Sequence, residues 1–117
     1  MKHQDLEVWN EAIKLVTNIY EITKNFPKDE IYGLTSQMRR CAVSIPSNIA
    51  EGCARFSDKE TLKFLSVAIG SASELETQVI ISKNIGYIDN IDNLIVQISS
   101  LKKLILGLVK YLNTKTT

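Results

Sequence analysis

Between Leu94 and Leu112 apolar residues recur at alternating intervals of four and three: Leu94, Ile98, Leu101, Ile105, Leu108 and Leu112. A strand cannot use that spacing, because its successive side chains point to opposite faces. On a helix the six positions form one stripe. A stripe of that length has to be covered by other helices. Three more segments carry the same rhythm. Trp9, Ala12, Ile13, Val16, Ile19 and Tyr20 share one side of a segment from Val8 to Lys24, with Asp5 placed as its N-cap and Pro27 as its stop. Met38, Cys41, Ala42, Ile45, Ile49 and Cys53 form the stripe of a second, capped by Thr35 and ending near Gly52. The third starts at Ser57 or Asp58 and runs to about Asn84, where Asn84-Ile85-Gly86 reads as a glycine stop. The fourth starts near Asn90, and the tail from Asn113 to Thr117 is expected to fray. No segment alternates with period two. The expected fold is all-α, an antiparallel up-down four-helix bundle forming one domain over residues 1–117.

Apolar residues make up 44% of the chain, enough for a single core, and the net charge of +1 argues against a strong nonspecific polyanion binder. The charge is nevertheless uneven. Residues 1–30 hold four lysines against six carboxylates, whereas residues 93–117 hold four lysines and no carboxylate. That asymmetry can order an assembly or form a binding face. Cys41 and Cys53 stand twelve apart, neither a zinc spacing nor a redox pair, and read as reduced, packed thiols. There is no signal peptide and no run of about 18 apolar residues to span a membrane. The expectation is a soluble cytoplasmic protein without a membrane partner.

Two stretches do not read as ordinary helix surface. Pro46 lies inside the second helical segment and removes a backbone donor, freeing the carbonyl of Ala42 at a cost of about 3 kcal/mol if nothing compensates. A helix kink at Pro46 is expected. On projection, Met38, Ala42, Ile45 and Ile49 face the core. Arg40, Ser44, Ser47, Asn48, Glu51 and Arg55 make a second face, and Arg39, Val43, Pro46 and Ala50 a third, away from the core. Such small side chains suit a face that another helix or chain approaches closely. The run from Ala68 to Ser73, with Gly70 in its middle, points the same way. The other anomaly is Glu76, which projects among Ile69, Ala72, Val79 and Ile80. If the second and third helices turn near Phe56, level positions have residue numbers adding to roughly 113–116. Arg39 or Arg40 then reaches Glu76 as a buried ion pair.

The same stretches carry a family resemblance. Asp-Leu-Glu-Val-Trp (5–9), Tyr-Gly-Leu-Thr-Ser-Gln-Met-Arg-Arg (32–40), Ser-Ile-Pro-Ser-Asn-Ile-Ala-Glu-Gly (44–52) and Glu-Leu-Glu-Thr-Gln (74–78) resemble the 23S rRNA-intervening sequence proteins, over almost the whole chain. Cys53 stands where the family pattern has an aromatic. The resemblance implies a left-handed four-helix bundle assembled into a ring of five subunits. It extends to the accessory protein of diversity-generating retroelements, which implies nucleic acid or an RNA-handling protein as a partner.

Catalysis finds little footing. His3 is the one histidine and sits at the terminus, no glycine-rich phosphate loop follows a strand, and no nucleophile or metal constellation accompanies the carboxylates. No cofactor and no metal is expected. Two function classes remain: an oligomeric scaffold or adaptor, and an RNA-binding protein with a symmetric basic surface. For the second, Arg40 and Arg55 on one helix face, with Lys59 and Lys63 following, are the candidate phosphate contacts.

Overall fold

The structure, a computed structural model, describes residues 2–115. Helices α1 (Glu7–Thr23), α2 (Leu34–Cys53), α3 (Asp58–Asn84) and α4 (Asp92–Lys115) are joined by short links, with 3-10 turns at His3–Asp5 and Lys28–Glu30. No strand occurs among the described residues. Neighbours run antiparallel. The end of α1 meets the start of α2 through Thr23 and Arg39, and Ser44 meets Ser71 across α2 and α3. Glu76 and Asp58 of α3 reach Lys102 and Lys115 of α4, and Asn18 of α1 bonds Gln97 of α4. The bundle is 48 Å long and 24 by 20 Å across. Helix α4 continues to Lys115. Thr116 and Thr117, the rest of the tail expected to fray, lie outside the described residues.

The caps show how local chemistry sets the helix ends. Asp5 is not the cap of α1: the chain turns over His3–Asp5, so the helix opens one residue later, after Leu6. That turn also sets the His3 ring edge-on to Trp9, 5.1 Å away. Nor does Thr35 cap α2, in whose first turn it is buried. The Glu30 carboxylate does so from outside, accepting the Leu34 N–H at 3.2 Å through Oε1. A Cβ on Gly33 would lie 2.6 Å from that Oε1, so the carboxylate occupies the space a side chain would need. The Tyr87 hydroxyl donates to Glu30 Oε2 at 2.7 Å, and its ring leans on Phe26 at 5.2 Å. Glu30 therefore ties the α1–α2 link to the α3–α4 link at one end of the bundle. Ser57 caps α3 as expected, accepting the Glu60 N–H at 3.2 Å. Gly86 ends it with φ +87°, and the Tyr87 N–H then closes on the Ser82 carbonyl at 2.8 Å.

The expected stripes of α2 and α4 form the core, but that of α1 is rotated: Val8, Ala12, Leu15 and Ile19 are buried, while Ile13 and Tyr20 are exposed and Trp9 and Val16 lie at the edge. Leu15, Ile19, Met38, Ile45, Ile49, Leu65, Leu75, Ile98, Leu101 and Ile105 are fully buried. Each contributes about 1.5–3 kcal/mol of transfer free energy. Pro46 departs from its expected place: it is buried. It lies on the side of α2 turned toward α1, whereas Val43 on the same face stays exposed and Arg39 and Ala50 are partly so. Helix α2 stays helical through the proline. Across the other side, Gly52 is required by close approach, since a Cβ there would meet Phe64 Cβ at 3.2 Å and the Thr61 carbonyl at 3.3 Å. Helix α3 corrects one reading of the sequence. It alone among the described residues is long and apolar enough, with an 18-residue window of mean hydropathy 1.2, to cross a membrane by length and composition. In the bundle it lies between α2 and α4, with Leu65, Ala68, Ala72, Leu75 and Val79 fully buried but only 33% of that window buried.

The Tyr87 hydroxyl, and secondly the Leu34 N–H, hold the Glu30 carboxyl below its ordinary value of 4.5. A carboxylate held low stabilises the fold above its ordinary value and loses that contribution as pH falls through its folded one. The same bond raises Tyr87 above its ordinary 10.0, so a second loss follows as pH rises beyond 10.0. Tyr87→Phe is expected to lower the melting temperature at pH 7, with the gap to the unmodified protein narrowing at about pH 3. A gap of the same size at both would show that the bond carries none of the pH dependence.

Candidate functional site

Helix α2 is the central element, and its side chains divide between two neighbours. Toward α3, Ser44 and Ser71 share a hydrogen bond of 2.9 Å, the Cys41 thiol donates to Glu74 Oε2 at 3.0 Å, and the Thr61 hydroxyl donates to the Gly52 carbonyl at 2.8 Å. The register expected from a turn near Phe56 therefore holds. The expected ion pair does not. Glu74, not Glu76, faces α2. Glu76 points to α4 and pairs with Lys102 at 3.6 Å, both side chains about a third exposed or less. The helix-face projection set Glu76 beside the correct apolar neighbours but next to the wrong helix. A carboxylate two residues from Glu74 is rotated about 200° around the axis.

Arg39 turns the other way, toward α1. Its Nε donates to Thr23 Oγ1 at 2.8 Å, its Nη2 reaches the Tyr20 carbonyl at 3.5 Å, and its guanidinium lies 4.6 Å over the Tyr20 ring. Arg40 is exposed. Among the described residues neither arginine is in a salt bridge. The two frame a surface hollow of about 410 Å³ with Tyr20, Ile31, Ser36 and Val43. A second hollow of about 290 Å³ continues from Val43 past Ile13, Trp9, Pro46 and Ala50. Together they make a groove along the α1–α2 seam, cationic at one end and apolar at the other. The third face of α2, with Arg39, Val43, Pro46 and Ala50, was its only signal in the sequence.

The four candidate phosphate contacts fall into two groups. Arg55, Lys59 and Lys63 gather at the α2–α3 turn, whereas Arg40 sits fifteen residues back, about 22 Å along α2. Arg55 is also engaged, 3.3 Å from Glu51 and 5.4 Å over the Phe64 ring. Lys59 and Lys63 are exposed and without an ion pair among the described residues. Asp58, beside them, is drawn off to Lys115 at 3.9 Å. Phe56 at the same turn is fully exposed, an aromatic surface that charge counting misses.

The cysteines are packed and unbridged. Burial, and next the hydrogen bond to Glu74, push the Cys41 thiol up to about 12, so it is a neutral donor rather than a nucleophile. Burial likewise raises Cys53. No group of three or more His, Cys, Asp or Glu able to hold a metal ion occurs among the described residues. Gly70 is not approached closely by another helix of its own chain. Beyond the backbone of its own turn, no atom lies within 4 Å of where a Cβ would stand, so no packing contact within the monomer calls for a glycine there. Ile91, just before α4, belongs to the core, and Ile95, Leu104 and Val109 of α4 are partly buried against that core. The apolar surface that α4 leaves exposed is Val96, Leu106 and Tyr111.

The family model of the 23S rRNA-intervening sequence proteins matches residues 4–107. Among solved structures, the chain is similar to a protein of unknown function from the S23 ribosomal protein family of Bacteroides thetaiotaomicron, with a TM-score of 0.78 and 20% identity. The likeness covers 88% of this chain and 98% of that one, and at this identity it shows the fold. No curated protein matches the sequence.

The Glu76–Lys102 contact is a partly exposed pair, for which a coupling of about 0–1 kcal/mol is expected. A double-mutant cycle on Glu76→Ala and Lys102→Ala, followed by urea unfolding, measures it. A loss of about 3 kcal/mol for Glu76→Ala alone would instead mark a buried charge left without its partner.

Proposed function

The chain belongs to the 23S rRNA-intervening sequence protein family, and from that premise we propose that it is a non-enzymatic cytoplasmic scaffold working as a homo-oligomer. Five subunits are the number the family resemblance implies. The observation that carries assembly is the apolar surface the monomer leaves uncovered. Val67, Ile80, Ile81 and Ile85 along α3 and its C-terminal end, and Val96, Leu106 and Tyr111 on α4, are each more than two-fifths exposed. Scattered single apolar residues are ordinary on a surface, but a concentration on two adjacent helices is the mark of an interaction face. The adaptor role follows from such an assembly, which repeats each outer face once per subunit and multiplies weak contacts.

The second reading is RNA binding, and the α2–α3 turn favours it. Phe56 offers a free ring for base stacking, with Arg55, Lys59 and Lys63 around it for phosphates. RNA or an RNA-handling protein is the partner class this turn suits. Glu51 beside Arg55 weakens the patch, so repetition around an oligomer has to supply the affinity.

Light scattering at micromolar concentration is expected to give a multiple of 13.2 kDa; a monomer at that mass would sink the scaffold reading. If the turn binds RNA, Arg55→Ala with Lys63→Ala flattens the salt dependence of binding to a labelled single strand, by about 0.7 for each phosphate no longer neutralised. Phe56→Ala weakens binding without changing that slope. A slope untouched by the double substitution in an intact oligomer removes the RNA reading.

A further inference from the structure

We propose that the α1–α2 groove receives the outer stripe of α3 from a second copy of this chain, in a head-to-tail contact. The inference rests on the oligomeric reading above and names the two faces that would meet.

The groove states what its occupant must bring. Arg39 is held in place by Thr23 and the Tyr20 ring, and Arg40 stands beside it with no carboxylate within bridging distance among the described residues. Neither guanidinium is bridged by a carboxylate of its own chain among the described residues, although Glu74 lies nearby on Cys41, so both are open to an acid. Ile31, Tyr20 and Val43 line the same hollow and remain 56%, 40% and 39% exposed, so the acid must come with apolar neighbours. Ser36, Ser47 and Ala50 keep the α2 wall low, which lets a helix lie close.

The outer surfaces of the chain can be compared against that demand. The exposed stripe of α4 has Val96, Leu106 and Tyr111 but also Lys103 and Lys110, and the arginines repel it. The outer side of α1 is polar and of mixed charge. Helix α3 fits. Between Val67 and Ile81 it contains two glutamates and no lysine or arginine. Glu76 is already engaged by Lys102, and Glu74 remains exposed on the stripe Val67, Gly70, Glu74, Thr77 and Ile81. Cys41 takes only Oε2 of Glu74, leaving the other oxygen for a guanidinium. The lengths agree as well: Ser36 to Ala50 on the groove and Val67 to Ile81 on the stripe each span about 21 Å. Gly70 then acquires a reason, since an exposed glycine in mid-helix is costly alone and useful where another backbone comes near. The two faces are different patches of one chain, so the contact is heterologous and closes a ring or propagates, rather than forming a twofold dimer.

Charge exchange between chains tests this. Arg40→Glu and Glu74→Lys are each expected to weaken self-association about tenfold or more, read by light scattering across a dilution series. Mixed in equal amounts, the two variants are expected to associate again in alternation. Each altered groove then meets an altered stripe, and each unaltered groove an unaltered stripe. Alternation closes rings of even number and leaves one joint of an odd ring mismatched. Gly70→Ala, which makes no packing contact within its own chain, is expected to keep its helical circular dichroism yet dissociate more readily, and it guards against a charge variant that fails to fold. Folded variants that assemble like the unmodified chain, or that stay apart on mixing, overturn the proposal and give the groove to another acidic partner. A monomeric unmodified chain overturns the oligomeric reading itself.

Discussion

The close seam between α2 and α3 is the contact on which the rest of the molecule depends. Ala42, Gly52, Ala68 and Ala72 are buried there, and Gly52 tolerates no larger residue without displacing Phe64 or the Thr61 carbonyl. Small side chains bring two helices together so that many atoms touch, and individually weak dispersion contacts add up. Proximity also makes cross-helix hydrogen bonds possible between short side chains, as between Ser44 and Ser71. The seam fixes the register of α2 against α3. It therefore decides which residues of α2 turn to α3 and which turn to α1.

That division governs the charges. Some cations are satisfied within the chain, as Arg55 is by Glu51 and Lys115 by Asp58. Arg39 and Arg40 escape this balance because they sit where α2 rolls from one neighbour to the other. Of the two carboxylates near their level on α3, Glu76 is turned to α4 and Glu74 accepts from the Cys41 thiol. What remains is a pair of fixed positive charges beside apolar surface. In the monomer Arg39 leans on Tyr20 and Arg40 faces water. In a contact the pair rewards a partner that supplies the acid and covers the apolar walls.

Glu30 works at the other scale, as a single residue joining two links. It completes the first turn of α2, leaves room for nothing larger than Gly33, and receives the Tyr87 hydroxyl. Without side-chain caps at α1 and α2, this one carboxylate takes on the task that Ser57 performs for α3 by itself.

The sequence alone determined the number, extent and order of the helices, the buried stripes of α2 and α4, the Ser57 cap, the Gly86 stop and the level register of α2 against α3. Each of these follows from spacing along one chain, where geometry is fixed by 3.6 residues per turn and by the chemistry of neighbouring residues. Tertiary structure decided the rest. Asp5 and Thr35 look like caps by type, but the 3-10 turn at His3–Asp5 and the reach of Glu30 from outside the helix supersede them. Pro46 became buried, Glu76 found Lys102 and Arg39 found Tyr20 for one shared reason. A periodic pattern says that a side chain leaves the helix in a given direction. Which helix waits there depends on how the bundle is arranged around it, and that is settled by packing among residues far apart in the chain.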